Sequence, residues 1–78
     1  MDAIEITVRY DKDGQPDPLS FTWQGHVYRV DHTGRRWTAE DGIHILVMDF
    51  SGRMFELLYA GTDGRWYLVN ASPPDRRV

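Results

Sequence analysis

Arginine recurs beside aromatic residues and turns at three places in this 78-residue chain. The residues of this pattern are Arg35, Arg36, Trp37, Arg53 and Arg65. Guanidinium groups contact phosphates and aromatic rings stack on bases, so the pattern suits nucleic-acid binding. Arginine and tryptophan are equally typical of hot spots in protein interfaces. In the alternative interpretation the rings fill the core and the arginines only cover hairpin ends, because a domain this small must bury its aromatic residues.

The residue types offer little for nucleophilic catalysis. The chain has no cysteine, and its serines, Ser20, Ser51 and Ser72, lie in no recognisable nucleophile motif. The sequence therefore predicts no catalytic residue and no enzyme activity.

Glu56 is the one carboxylate whose position draws attention. It stands between Phe55 and Leu57, so strand alternation places it on the face opposite to those side chains. We expect it to be partly buried, with a raised pKa as a mild sign of function, or else paired with Arg29 or Arg53.

Metal binding is also not predicted. His26 and His32 are six residues apart, roughly 20 Å in an extended strand, and His44 is further along the chain. The run Asp11-Lys12-Asp13-Gly14 superficially resembles a calcium loop, but it lacks the remaining ligands and the flanking helices of an EF-hand. We predict a plain connecting loop over 11–18 and no metal or other cofactor.

Composition narrows the partners and the compartment. The net charge of −3 argues against indiscriminate binding to a phosphate backbone. No apolar stretch approaches the ~20 residues of a membrane span. The acidic start, Met1–Glu5, enters a strand directly and is unlike a signal peptide, so we expect a cytoplasmic protein.

Alternating apolar and polar residues, with turn signals about every 8–12 residues, predict an all-β fold. Six short antiparallel strands are expected in a meander, forming a strongly twisted sheet or a small SH3-like open barrel, with a two-layer sandwich as the alternative. Tight turns are predicted at Gln24-Gly25 and Ser51-Gly52, and a further turn at Thr33-Gly34-Arg35-Arg36. Residues 1–70 form the single domain, and 71–78 are expected to be a flexible tail.

Strand parity also predicts the core. The expected core residues are Trp23, Tyr28, Val30, Ile45, Val47, Phe55 and Leu57. Leu46, Met48 and Leu58 fall on the opposite face, so either a closed barrel or a second copy in a homodimer should cover them.

Three motifs carry a resemblance to a known family. They are Phe21-x-Trp23-x-Gly25-x-x-Tyr28-x-Val30, Phe55-Glu56-Leu57-x-Tyr59 and Gly64-Arg65-Trp66-Tyr67-Leu68. The chain thereby resembles a family of small bacterial all-β domains of unknown function, relatives of which are appended to Y-family DNA repair polymerases. The segment from Trp37 to Asp41 departs from the family pattern, which has a paired W-W and further basic residues there. The resemblance implies no catalytic residues.

The sequence as a whole favours a non-enzymatic interaction or accessory module whose partner is a protein or a second copy of the chain. The alternative is a nucleic-acid-binding domain accessory to DNA repair.

Overall fold

The structure, a computed structural model, describes residues 1–74 and contains seven β-strands. The strands are β1 (Asp2–Ala3), β2 (Glu5–Tyr10), β3 (Pro16–Trp23), β4 (His26–Ala39), β5 (Gly42–Asp49), β6 (Met54–Ala60) and β7 (Trp66–Ala71). All paired strands are antiparallel, in the order β1-β7-β6-β5-β4-β3-β2. The sheet curls into a half-barrel, which confirms the all-β meander. No helix within residues 1–74 is long and apolar enough to cross a membrane.

The seventh strand arises because the N-terminal segment divides between the two ends of the sheet. β1 pairs with β7 and β2 pairs with β3, with only Ile4 between them. The Ile4 amide donates a hydrogen bond to the carbonyl oxygen of Trp66 at 3.1 Å. β1 and β2 are therefore parts of one extended segment. This segment connects the two edges of the sheet, because β1 lies at one edge and β2 at the other.

Both predicted tight turns are present. Gln24 and Gly25 have φ angles of 51° and 77°, the left-handed conformations that a two-residue type I′ hairpin requires. Trp23 and His26 face each other directly across this turn. Gly52 likewise has a positive φ in the β5–β6 turn.

The predicted turn at Thr33-Gly34-Arg35-Arg36 is wrong, because these residues lie inside the 14-residue strand β4. The register of β4 against β5 shifts there, between Thr33 and Arg36, and again between Val30 and His32. Irregularities of this kind bend a strand and increase its twist. They allow β4 to pair with β3 through its first part and with β5 through the rest.

The loop predicted over 11–18 is shorter than expected, because β3 already begins at Pro16. At Pro16 and Pro18 this strand pairs with β2 alone, since its pairing with β4 starts at Ser20. Proline is tolerated where a strand needs hydrogen bonds on only one side. A register shift at Leu19 then changes the strand's phase, so that both Pro18 and Phe21 are buried.

The concave face of the sheet holds one hydrophobic core. Its buried residues are Phe21, Ile45, Val47, Phe55, Leu57, Trp66 and Leu68. Four of the predicted core residues are among them, and the other three, Trp23, Tyr28 and Val30, are partly buried against them. The predicted face assignment is therefore confirmed.

The convex face of β5 and β6 is also partly covered. Leu58 is buried, and Leu46 and Met48 are half-buried. At the C-terminal end, β7 extends to Ala71, and the Ser72 amide donates a hydrogen bond to the Met54 carbonyl at 2.8 Å. The remainder of the predicted tail, 75–78, lies outside the described residues.

Candidate functional site

The convex face of the sheet presents a cluster of polar and aromatic side chains across three neighbouring strands. Trp37 of β4 lies opposite His44 of β5, and His44 lies opposite Leu58 of β6. Glu56 precedes Leu58 by two residues, so strand alternation puts it on this same face. We call the surface formed by Arg35, Trp37, Asp41, His44 and Glu56 the Trp37 face.

His44 is held between two carboxylates. Its Nδ1 lies 2.8 Å from Oε2 of Glu56, and its Nε2 lies 2.8 Å from Oδ1 of Asp41. An ionised carboxylate can only accept a hydrogen bond, so this arrangement favours the protonated ring, in which both nitrogens donate. His44 is 8% exposed, whereas the side chains of Glu56 and Asp41 are 18% and 55% exposed. Glu56 is therefore the desolvated partner and Asp41 the solvated one.

The environment of His44 contains opposing influences on its pKa. Desolvation by burial lowers the pKa, but hydrogen bonds and charge attraction from Asp41 and Glu56 outweigh it. The pKa of His44 is accordingly raised above its ordinary value. In its protonated form the ring donates both N–H groups to these carboxylates and has no lone pair free to accept a further proton.

Trp37 stacks on the His44 ring. The indole and imidazole planes are 11° apart, with centroids separated by 5.1 Å. The guanidinium carbon of Arg35 also lies 5.1 Å from the centroid of the indole, within range of a cation–π interaction. Trp37 is half-buried, and it does not belong to the aromatic residues packed against the concave core.

The predicted basic residues do not share one surface. Arg36, next to Arg35, points to the other side of β4, where its Nη1 donates to the carbonyl oxygen of Pro16 and its Nη2 lies 3.6 Å from Asp17. It thereby bridges β4 and β3 where their backbones no longer pair. Arg65 lies in the β6–β7 turn, at the opposite end of β6 from Arg53.

Arg53 covers the aromatic end of the core. Its guanidinium carbon lies 5.4 Å from the ring centroid of Trp23, 6.0 Å from that of Tyr28 and 5.2 Å from that of Phe55. Its Nε donates a 2.7 Å hydrogen bond to the carbonyl oxygen of Ser72. This is the structural role that the alternative interpretation assigned to the arginines at hairpin ends.

Asp11, in the run that resembles a calcium loop, has a structural role. Asp11 accepts hydrogen bonds from the amides of Asp13 and Gln15, both at 2.9 Å, which closes the loop without a cation. Within residues 1–74, no three histidine or acidic side chains converge as metal ligands. The two carboxylates at His44 approach opposite nitrogens of its ring and so do not share a coordination centre.

Glu56 faces away from Phe55 and Leu57, as alternation predicts, but its partner is His44 rather than Arg29 or Arg53. Sequence reasoning considered His44 only as a metal ligand and missed this pairing. The sequence offered one signal for this pairing: alternation places His44 and Glu56 on the same face of two neighbouring strands, β5 and β6.

Compared with known proteins, the chain matches no family model, no curated protein and no solved structure. The resemblance to a family of small bacterial domains therefore stays a prediction.

Proposed function

We propose that this chain is a non-enzymatic interaction module that binds a protein partner through the Trp37 face. The observation that carries the proposal is the outward placement of Trp37. A small β domain needs its large rings in the core, and Trp66 is buried there. Trp37 instead lies on the convex side, stacked on His44 and beside the guanidinium of Arg35.

The surroundings of Trp37 favour a rigid binding surface. The His44 ring beneath the indole is fixed at both nitrogens, and Glu56 also receives a 3.4 Å hydrogen bond from the side-chain amide of Asn70. A preorganised aromatic residue loses little conformational entropy on binding, which is one reason why tryptophan and arginine dominate interface energetics.

Charge favours a protein over a nucleic acid as the partner. Glu40 and Asp41 are exposed in the turn that follows the strand of Trp37, where they would repel a phosphate backbone. Arg35 is the one member of the predicted basic set beside the indole, because Arg36 and Arg53 contact other parts of the domain. A surface that mixes one arginine, one tryptophan and nearby carboxylates suits a partner with an apolar or cationic side chain.

Affinity capture with quantitative mass spectrometry tests the proposal. The native chain, Trp37→Ala and Phe50→Ala are used as baits in extracts of the source cells. Phe50 is the matched control, because it is an exposed aromatic residue (68%) in the turn after β5, at the other end of that strand from His44. We expect a defined set of proteins to be retained by the native chain and by Phe50→Ala but lost with Trp37→Ala. Equal retention by both variants would contradict the proposed surface.

The nucleic-acid alternative depends on the contact between Arg35 and Trp37, since a base could stack on the indole beside the guanidinium. Fluorescence anisotropy with short DNA and RNA, single- and double-stranded, at low salt tests it directly. Binding that weakens with salt and is lost in both Arg35→Ala and Trp37→Ala would replace the protein-partner proposal with this one.

A further inference from the structure

β2 presents an open edge. It stands at one end of the strand order, and β3 is the one strand within residues 1–74 to which it is hydrogen-bonded. The edge is six residues long, Glu5–Tyr10, and these residues are exposed or half-buried. An open edge carries backbone N–H and C=O groups that can pair with another strand.

The charges along this edge are arranged symmetrically about Thr7. Glu5 lies two residues before it and Arg9 two residues after it, both exposed on the convex face. We propose that the β2 edge pairs antiparallel with the β2 edge of a second copy, centred on Thr7, so that Glu5 of each copy lies opposite Arg9 of the other. Opposite charges directly across an antiparallel pair are stabilising, and a threonine pair at the centre is also favourable.

The concave side of the strand supports the same register. Pairing centred on Thr7 sets Ile6 opposite Val8 of the second copy, and both side chains are half-buried against the core of their own copy. The same register therefore places apolar side chains opposite each other on one face and opposite charges on the other.

Neighbouring registers lose these contacts. A shift of two residues in either direction sets Thr7 opposite a charged residue and leaves the other charge without its counterpart. Shifts of one residue are excluded by parity, because apolar and charged side chains would then share a face. Arg9 also lies 3.1 Å from Oδ2 of Asp17 on β3, and its five N–H donors suffice for that carboxylate and for Glu5 of the second copy.

The resulting interface is two-fold symmetric and continues one sheet across two copies. A contact of five residues per copy, from Glu5 to Arg9, is small, so the dimer is a weak one that forms in a concentration-dependent manner. The proposal concerns a different surface from the Trp37 face and does not depend on it.

Charge reversal tests the pairing in the full chain. Sedimentation velocity measures self-association of the native chain, Glu5→Arg and Arg9→Glu over roughly 10 µM to 1 mM, the range of a weak interface. Each single variant places like charges opposite each other twice, so we expect self-association to weaken by at least about tenfold. Lys12→Glu is the matched control, because it reverses a charge in the loop just beyond the strand and outside the register.

Mixing separates this mechanism from a loss of folding. Glu5→Arg mixed with Arg9→Glu restores opposite charges at every pair, so we expect a heterodimer from two variants that do not self-associate. The double variant Glu5→Arg/Arg9→Glu should also self-associate. A native chain that stays monomeric throughout the range, an Arg9→Glu variant that associates as the native chain does, or a mixture that stays monomeric would each overturn the proposal. Trp37→Ala should leave the dimer unchanged, so the two proposed surfaces fail independently.

Discussion

Replacing Glu56 with glutamine tests the charged clamp on His44. The change keeps the size of the side chain and one acceptor oxygen, but it removes the charge of the more buried carboxylate. A hydrogen bond to a charged group contributes about 1.5–3 kcal/mol, so we expect a loss of this size in the free energy of unfolding at pH 6. For a domain of this length, that corresponds to a fall in Tm of roughly 6–24 °C. Asp41→Asn is the matched control and should cost under about 1 kcal/mol, because the Asp41 side chain is 55% exposed.

The loss of stability in Glu56→Gln should depend on pH, because it acts through the pKa of His44. Because folding raises the pKa of His44, the native state binds more protons than the unfolded state between the unfolded and folded pKa values. The stabilisation is therefore fully present below the unfolded pKa, about 6.5, and is lost as pH rises through the folded value. In Glu56→Gln the folded pKa falls, and each unit of that fall removes about 1.4 kcal/mol of pH-linked stability. The difference between native and variant should thus be largest near pH 6 and should shrink in more alkaline solution.

Two measurements test this prediction. Urea denaturation followed by tryptophan fluorescence at several pH values gives the free energy of unfolding, and an NMR titration of the His44 ring gives its pKa. A His44 pKa at or below its ordinary value would refute the reasoning, as would a larger loss of stability in Asp41→Asn than in Glu56→Gln.

Three further predictions concern single positions. Gly42→Ala should lower the free energy of unfolding by roughly 3–5 kcal/mol in urea denaturation, because φ is +140° and a Cβ would lie 2.0 Å from a main-chain oxygen of β6. Gly14→Ala is the control: φ is also positive there but the space is open, so the loss should be about 1 kcal/mol. Burial raises the pKa of Asp49, but hydrogen bonds from the β5–β6 turn outweigh this effect, so the pKa of Asp49 is lowered. Asp49→Asn should therefore lower the free energy of unfolding by about 1–2 kcal/mol at pH 7. In acid denaturation this loss should vanish as the pH falls through the folded pKa of Asp49. Trp66→Ala should lower the free energy of unfolding by about 3–5 kcal/mol, whereas Trp37→Ala should lower it by about 1 kcal/mol; equal losses would contradict the assignment of Trp37 to a binding surface.

Local sequence determined the faces of the central strands β5 and β6. Alternation along β5 and β6 correctly placed Ile45, Val47, Phe55 and Leu57 on one side, because successive side chains in any strand point to opposite faces. The hairpin at Gln24-Gly25 was equally predictable, since its backbone requires positive φ at both residues.

The predicted turn at Thr33–Arg36 failed because a glycine within a polar run also fits an irregular strand. Pairing with β5 decided between the two, and that pairing is a tertiary interaction. The strand starting at Pro16 was missed for a related reason, because proline is excluded from a strand only where both edges are paired.

The candidate site depended on tertiary structure almost entirely. Strand alternation alone predicts that Glu56 lies on the convex face. The register between β5 and β6 brings Glu56 within reach of His44. The register between β4 and β5 stacks Trp37 on the His44 ring. Register depends on the packing of the whole sheet, since the same alternating strands can be slid by two residues without changing any face. The sequence by itself therefore determined which side the residues of β5 and β6 occupy, and the curled sheet decided which residues meet.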